Sequence, residues 1–393
     1  MGMNKIPIVF ATDQNYLWPT SVAIISLFKN ANPNTFYDIY ILLGSKLSNE
    51  DESLIKNLEC SNGKITLVIV GDIFDNSYIG ESYVSTSTYY RLLITEILAD
   101  YSKCIYLDSD IIVLQDLSDL FNINMEEYYL AGVKDLKASL LAERFINTLN
   151  LSTVDYYING GVLVMNLNKI RLDGVDKQFL ALASNEYLHH DQDIVNIACA
   201  DKIKLLPFKY NWITKYFISG YDNRIKSHYI YITEGSISEE ILESPIIVHY
   251  ALKMKPWKYN NCYLGDLWWD YAKFSPFTNV YRSALADNPI DCEMDDLINL
   301  LNNNMYDGYY IFSAGTMGDI TYRILREYAS SANMLGFVDN RTELHGQLLF
   351  GHLVIPYEQC RLGDNILFVL SPHATNAQML LAEHNRKYVI VQI

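Results

Sequence analysis

Short apolar runs alternate with segments of helical periodicity over the first 135 residues, and this alternation constrains the fold more than any other feature. Buried strands are predicted at the apolar runs 6–11, 37–43, 65–70, 104–107 and 128–134. Between them, segments such as 21–30 and 48–58 place apolar residues at helical spacing. Strands separated in this way favour a mostly parallel sheet covered by helices. In such sheets, ligands bind where the strands reach their carboxyl ends.

The strand predicted at 104–107 ends at the sequence Asp108-Ser109-Asp110. Alternate side chains of an extended backbone point the same way, so Asp108 and Asp110 should share one face while Ser109 faces the other. Two such carboxylates repel each other unless a cation lies between them, and Mg²⁺ or Mn²⁺ suits oxygen ligands and could hold a diphosphate. Paired aspartates after a strand are also common turn formers and helix caps, so the motif alone leaves both interpretations open.

Other polar residues and glycines lie at the ends of further predicted strands: Asp13, Asn15, Asp135, Asn159, Gly160, Gly161 and His249. Turn formation is an equally simple account of most of them. His249 could complete a mixed oxygen and nitrogen shell with the two aspartates, although a lone histidine after a strand is more often structural. Lys255 follows in the same short loop, where it could neutralise phosphate groups.

Two predicted helices carry further candidates. The segment 85–98 opens on hydroxyl residues and carries Arg91, which could neutralise a bound anion but is more often solvated or ion-paired at such a position. A second helix opens at His189-His190-Asp191-Gln192. The two histidines are not expected to be metal ligands, because consecutive helical residues do not face each other. Asp191 could cap this helix, and Gln192 could hold a polar substrate.

Composition excludes several classes of protein. A chain of 393 residues predicts a large domain plus a smaller one. The net charge of −16 argues against a nucleic-acid partner, since phosphate binding needs a basic surface. The 6 cysteines form no CxxC pair and are expected to be reduced thiols of a cytosolic protein. Neither a signal peptide nor a stretch long enough to cross a membrane is evident, so we predict a cytoplasmic protein.

A series of motifs then occurs in one order: FATDQNY, YYRL before YLDSD, INGGVLVMNL, HDQDIVN and HYALKMKPW. In order and approximate spacing they resemble the family-eight retaining glycosyltransferases, which include glycogenin and bacterial lipopolysaccharide galactosyl- and glucosyltransferases. The resemblance covers about residues 5–260. It implies an α/β nucleotide-binding domain of the glycosyltransferase-A type, which we place at residues 1–285.

The resemblance also implies a reaction: transfer of a hexose, glucose or galactose, from a UDP-sugar to a hydroxyl group of a glycan or glycolipid in bacterial surface-glycan or lipopolysaccharide assembly. Carried over by motif, the uracil and ribose would be held by Ala11, Asp13 and Asn15. The donor sugar would be surrounded by Arg91, Asp135, Asn159, Asp191 and Gln192, with Ser109 and Gly160 also in contact with the donor. Mn²⁺ (or Mg²⁺) would be bound by Asp108, Asp110 and His249, with Lys255 on the diphosphate.

Gln192, Asp135 and Asp191 are the candidate catalytic residues. A double displacement needs a protein nucleophile under the anomeric carbon, and the amide of Gln192 is a poor one. We therefore expect front-face substitution, in which the departing phosphate oxygen takes the acceptor proton. Asp135 and Asp191 would grip sugar hydroxyls, because ionised carboxylates accept hydrogen bonds, although either could still trap the intermediate.

Two departures from the family pattern leave alternatives open. The family usually carries glycine where this chain has Leu252, and commonly Asn-Ala-Gly where it has Asn159-Gly160-Gly161. Leu252 keeps open a protein of the same fold that binds a nucleotide sugar or glycan with weakened turnover. A metal-dependent nucleotidyltransferase or hydrolase using the two aspartates is a third possibility, disfavoured by the surrounding motifs.

The carboxyl-terminal part carries two further patterns. Aromatic and basic residues at 253–277 resemble a tail that touches membranes or glycolipid acceptors in related enzymes, although aromatic residues at helical spacing are more often core. A second strand and helix alternation predicts a small Rossmann-like domain at 295–393. In it, Ser313, Gly315 and Gly318 nearly reproduce a dinucleotide-binding turn, with Asp339 following. A regulatory or nucleotide-binding role and a structural role are both open for this domain.

Overall fold

The computed structural model describes residues 4–75, 77–78, 85–214, 245–251, 255–257, 264–278, 290–303, 306–363, 365–370, 377, 380–381, 384 and 386–392. Backbone contacts divide them into two compact units, residues 4–278 and residues 290–392. Both units are α/β, as the strand and helix alternation predicted. Leu252, which departs from the family pattern, lies outside the described residues.

The elements of the first unit follow the predicted order. Its strands are β1 Asn4–Ala11, β2 Thr35–Leu43, β3 Gly63–Ile69, β4 Cys104–Leu107, β5 Ile111–Val113, β6 Leu130–Lys134, β7 Ile158–Met165, β8 Ile203–Leu205, β9 Trp212–Ile213 and β10 Ile247–His249. Its α-helices are α1 Leu17–Lys29, α2 Asn49–Lys56, α3 Ile94–Ile97, α4 Ser118–Phe121, α5 Leu136–Leu140, α6 Ala142–Leu149, α7 Leu167–Leu172, α8 Val175–Leu182, α9 His190–Ala198 and α10 Gly265–Ala272.

Seven strands form the main sheet in the order β3-β2-β1-β4-β7-β6-β8. The first four are parallel to one another, whereas β7 runs antiparallel to both β4 and β6. Because β6 and β8 are parallel to each other and share the direction of β4, the sheet is mostly parallel, as predicted, and β7 alone is reversed. This reversal brings the amino end of β7 beside the carboxyl end of β4, where the Asp108 N–H donates to the Gly161 carbonyl over 2.8 Å.

A second, three-stranded sheet has the order β5-β10-β9. Its register pairs His249 of β10 with Ile111 of β5 and with Ile213 of β9. Ile111 directly follows Asp110, and Trp212 at the start of β9 directly follows Asn211. The small sheet therefore brings His249 close to both Asp110 and Asn211, which are far apart in sequence.

The segment 85–98 is helical, but its first part is a 3₁₀ helix, Thr86–Leu93, and only Ile94–Ile97 is α-helical. Ser85 caps it as predicted, because its hydroxyl accepts from the Ser87 N–H over 3.3 Å. The tighter winding accords with the run of serine and threonine, whose hydroxyls compete for local backbone hydrogen bonds. This winding leaves Arg91 buried.

The aromatic segment before residue 278 contributes largely to the core of this unit. Trp257, Trp268 and Phe277 are 6%, 0% and 1% exposed, and α10 packs on α1 through Trp18. The Phe274 ring, by contrast, is 53% exposed. Lys253 and Lys258 of the predicted basic tail lie outside the described residues. Across the described ranges, no helix is long and apolar enough to span a membrane.

The second unit has a sheet in the order β11-β17-β16-β12-β13-β15-β14. Its strands are β11 Ile290–Glu293, β12 Gly308–Phe312, β13 Met334–Val338, β14 Leu348–Leu349, β15 His352–Ile355, β16 Ile366–Leu370 and β17 Tyr388–Gln392, with helices α11 Met294–Asn302 and α12 Thr316–Tyr328. The parallel connection β12-α12-β13 is the predicted Rossmann-like unit. The sequence also predicts a helix at residues 377–383, most of which lies outside the described residues.

The glycine-containing turn before α12 is closely packed. A Cβ atom at Gly318 would lie 1.9 Å from the Ser313 carbonyl oxygen, so only glycine fits there. Asp339, at the end of β13, accepts from the Ala314 N–H over 2.8 Å and pairs with Arg341 over 2.9 Å. The carboxylate therefore ties the turn after β12 to the end of β13.

Candidate active site

A cleft opens in the first unit where β1 and β4 end and β7 begins. It brings together thirteen of the candidate residues singled out from the sequence: Ala11, Arg91, Asp108, Ser109, Asp110, Asp135, Asn159, Gly160, Gly161, Asp191, Gln192, His249 and Lys255. Asp13 and Asn15 do not line it. Asp13 instead caps the short 3₁₀ helix Gln14–Tyr16, accepting from the Asn15 and Tyr16 N–H groups, and Asn15 is exposed.

Asp108, Asp110 and His249 form a group in which one ligand atom from each lies within 4.8 Å of the others. His249 Nε2 is 3.2 Å from Asp110 Oδ1 and 3.8 Å from Asp108 Oδ2. Ser109 faces away as predicted, because its hydroxyl accepts from Thr20 over 2.8 Å. Two carboxylates and an imidazole are a donor set that Mn²⁺ or Mg²⁺ accepts, so the residues present fit such an ion.

Lys255 is buried beside this group. Its Nζ lies 2.5 Å from Asp110 Oδ2 and donates to the Tyr250 carbonyl over 2.7 Å. Burial alone would lower the pKa of Lys255, but the Asp110 charge raises it, so the ammonium stays charged. Burial in turn would raise the pKa of Asp110, but Lys255 and His249 outweigh that effect and hold it below its ordinary range. The Asp110 carboxylate is therefore ionised.

Asp108, Asp110 and His249 are called the cation group below, because together they could bind a cation. Arg91 connects this group to the rest of the cleft. Its guanidinium pairs with Asp108 Oδ1 over 3.0 Å and with Asp191 Oδ2 over 2.6 Å, and it also donates to the Gly160 carbonyl. The Tyr106 ring lies 4.2 Å beneath it. Burial would lower the pKa of Arg91, but Asp191 and then Tyr106 and Asp108 raise it. A buried, fully charged arginine thus holds two carboxylates in place.

Asp191 lies on the other side of Arg91, at the start of α9. The helix packs on Thr86–Leu93, where the Thr88 hydroxyl donates to Asp191 Oδ1. Burial raises the pKa of Asp191, and Arg91 and Thr88 offset only part of that rise, which leaves the pKa at about 6. The carboxyl is therefore poised to change charge near neutral pH.

Removing the Asp191 charge should alter the pH dependence of stability. Because its pKa rises from 3.8 to about 6 on folding, the stability it supports is present below pH about 4 and is lost as the pH rises through about 6. The unfolding free energy of the wild type, relative to Asp191→Asn, should fall by about 1–3 kcal/mol across this window. Urea unfolding with a chelator at several pH values measures it, and a difference independent of pH would contradict the assignment.

Gln192 is held from both ends of its amide. Its Oε1 accepts from the Gly160 N–H over 2.9 Å and from Asn159 Nδ2 over 3.2 Å. Its Nε2 donates to Asp135 Oδ2 and to the Tyr157 hydroxyl, each over 3.3 Å. Asp135 also caps α5, because its Oδ1 accepts from the Lys137 N–H over 2.9 Å. The amide therefore has a fixed position in the cleft wall.

Several residues of the cleft were not identified from the sequence. Thr12, Tyr16, Thr88 and Tyr106 also line the cleft. Tyr106 donates to Asp108 Oδ1 over 2.8 Å, and it precedes that residue by two positions in an extended strand, so the strand period could have identified it. Asn211, which contacts both His249 and Asn159, gave no local signal.

Residues 7–261 match the sequence model of Glycosyl transferase family 8. Glycosyltransferase GlyE of Streptococcus pneumoniae is 27% identical over 317 residues, 77% of this chain and 70% of that protein. Lipopolysaccharide 1,2-glucosyltransferase of Escherichia coli is 28% identical over 280 residues, 69% of this chain and 76% of that protein.

Among solved structures, galactosyltransferase LgtC in complex with donor and acceptor sugar analogs aligns with a TM-score of 0.58. The alignment is 24% identical and covers 69% of this chain and 96% of that chain. At this identity the likeness concerns the fold, which is of the glycosyltransferase-A type.

Proposed function

The chain belongs to glycosyl transferase family 8, as its motifs predicted, and on that premise we propose that it transfers glucose or galactose from a UDP-sugar to a hydroxyl group of a glycan or glycolipid. We further propose that the anomeric configuration is retained and that a divalent metal ion assists. A relative named as a lipopolysaccharide glucosyltransferase supports bacterial surface-glycan assembly as the setting.

One observation carries the proposal: the cation group and a wall of polar side chains meet in a single cleft. Asp108, Asp110 and His249 lie at one end. Arg91 joins that end to Asp191, and the Gly160 N–H and carbonyl join Arg91 to Gln192. A diphosphate at the first end would extend its sugar along the wall toward Gln192 and Asp135. Such an arrangement suits a nucleotide-sugar donor.

Asp108, Asp110 and His249 would hold Mn²⁺ or Mg²⁺, which supplies Lewis acidity at a diphosphate leaving group. Lys255 adds a fixed positive charge at the same end, and it needs no reorganisation when charge develops there. Asp13 and Asn15 keep a proposed contact with the nucleotide at the outer edge, beside Ala11. Ser109, whose hydroxyl is bonded within the fold, would contact the donor through its backbone.

The wall of the cleft supports substitution without a protein nucleophile. Gln192 offers a neutral amide that is fixed by Gly160 and Asp135, which suits positioning and electrostatic support. Asp191 and Asp135 are carboxylates that accept hydrogen bonds from sugar hydroxyls. The acceptor proton would pass to the departing phosphate oxygen on the same face of the sugar, so no strong base is required.

We expect this activity to appear as metal-dependent release of UDP. The protein is incubated with UDP-glucose, UDP-galactose and UDP-N-acetylglucosamine, each with Mn²⁺ and with a chelator. UDP should be released from one hexose donor in the presence of metal, because water replaces the absent acceptor slowly. Adding candidate glycan acceptors to that donor should then increase the rate.

Three other outcomes would overturn parts of the proposal. UDP binding without release from any donor would favour the binding protein that Leu252 suggests. Release of a nucleoside monophosphate would favour a nucleotidyltransferase or hydrolase. Equal UDP release with the chelator would remove the metal from the mechanism.

A further inference from the structure

A continuous row of hydrogen bonds runs beneath the cleft from His249 to Asp193. It passes from His249 Nδ1 to Asn211 Oδ1 over 2.8 Å, from Asn211 Nδ2 to Asn159 Oδ1 over 2.9 Å, and from Asn159 Nδ2 to Gln192 Oε1 over 3.2 Å. It continues from Gln192 Nε2 to the Tyr157 hydroxyl over 3.3 Å, and that hydroxyl donates to Asp193 Oδ1. Asn211 and Asp193 are both 0% exposed.

Two backbone groups determine the direction of this row. A backbone N–H can only donate, and the Gly161 N–H lies 3.0 Å from Asn159 Oδ1 while the Gly160 N–H lies 2.9 Å from Gln192 Oε1. Those two side-chain atoms must therefore be oxygens. Side-chain amide orientation, which hydrogen-bond networks normally decide, is here decided by the main chain.

The orientation of Asn211 then follows. Since Asn159 Oδ1 is an acceptor, the Asn211 atom facing it must be the amide nitrogen. The Asn211 atom facing His249 must consequently be the carbonyl oxygen, which can only accept. His249 Nδ1 therefore carries a hydrogen, and Nε2 is the nitrogen directed at Asp110 and Asp108.

From this geometry we infer that Asn211 is a positioning residue that fixes the ring orientation and the tautomer of His249, so that Nε2 presents its lone pair to a divalent cation. The inference rests on the proposed function only in naming the cation. Histidine ligands of metals generally donate their other ring N–H to a fixed acceptor, and such acceptors affect metal affinity. The same residue joins the cation group to Asn159 and Gln192 on the donor-sugar wall.

The fold explains why Asn211 can fill this role. The residue immediately precedes β9, and the parallel pairing of β9 with β10 places Trp212 opposite Val248 and Ile213 opposite His249. Thr214, after β9, also donates to the His249 carbonyl over 3.2 Å. The backbone of the histidine and its ring are therefore held by one strand and its flanking residues.

The test compares two substitutions by direct Mn²⁺ titration in the presence of UDP, with free Mn²⁺ followed by its electron paramagnetic resonance signal. Asn211→Ala removes the acceptor and should weaken Mn²⁺ binding about 10- to 100-fold. Asn211→Asp keeps an oxygen for the His249 N–H, so its affinity should stay within about threefold of the wild type. UDP release by Asn211→Asp should nevertheless fall, because the bond to Asn159 is disturbed.

Asn196→Ala is the matched control. Asn196 is also a buried amide that bonds β7, accepting from the Ile158 N–H over 2.8 Å, but it does not contact His249. Its substitution should lower thermal stability and leave Mn²⁺ affinity unchanged. Wild-type Mn²⁺ affinity in folded Asn211→Ala would overturn the inference. So would a 10- to 100-fold loss of Mn²⁺ affinity in folded Asn211→Asp, a result that is measured against the wild type and does not require the alanine variant to fold. Absence of any UDP release by the wild type would count against the proposed function alone.

Discussion

Asp110→Asn and Asp108→Asn should each lower metal-dependent UDP release by about 10³-fold or more. Each substitution neutralises one of the two carboxylates of the three-residue cation group and keeps the size of the side chain. Loss of the cation would leave the departing diphosphate without its main electrostatic support. Initial rates at saturating Mn²⁺ and donor measure the effect, and retained Mn²⁺-dependent turnover in either variant would show that the cation lies elsewhere.

The two variants should differ in their free energy of unfolding, although both should lose activity. Asp110 pairs with buried Lys255, so its neutralisation leaves an uncompensated buried ammonium, a change that typically costs about 3–5 kcal/mol. The side chain of Asp108 is 27% exposed, and its partner Arg91 keeps Asp191. Asp108→Asn should therefore unfold close to wild type in urea. Asp116→Asn is the control. Asp116 lies away from the cleft and accepts from the Tyr37 hydroxyl and the Asn32 N–H, so this variant should lose stability without losing activity.

The candidate site was predictable wherever one short segment carried its own signal. Asp108 and Asp110 follow an apolar strand at a spacing that puts both on one face, and Asp191 and Gln192 open an amphipathic helix. Polar groups directly after buried strands reveal where an α/β sheet collects its ligands. Such local signals led to most of the residues that line the cleft.

Other parts depend on pairings between distant segments. The antiparallel direction of β7 is not encoded in its sequence, all of which is buried, so a parallel strand was the simpler expectation. The role of Asn211 depends on the register of a three-stranded sheet formed by β5, β9 and β10. Asp13 shows the opposite case, in which the common local role of helix cap is the one observed. Short-range patterns specify elements, whereas the register between elements arises from packing.

Two adjacent glycines of β7 should respond very differently to alanine. The backbone of Gly161 is that of an ordinary strand, so alanine would cause no backbone strain there. The obstacle is the contact of its Cβ with neighbouring side chains. Its Cβ would lie 2.3 Å from His249 Cε1 and 2.9 Å from Asp108 Oδ2. Both of these proposed cation ligands would have to move. We expect Gly161→Ala to lower metal-dependent UDP release by about 10²- to 10³-fold.

Gly160→Ala is the matched comparison, one residue away on the same strand. Its Cβ would lie 2.8 Å from Arg91 Nη1 and 3.6 Å from Gln192 Cβ, so only the end of a long side chain must shift. The substitution also restores the alanine common in the family, and we expect a loss within about tenfold. Mn²⁺ titration of both variants locates the cause: weakened binding in Gly161→Ala alone would match the clash with His249. Equal losses in both variants would mean that displacement of Arg91, rather than of the cation group, causes the loss.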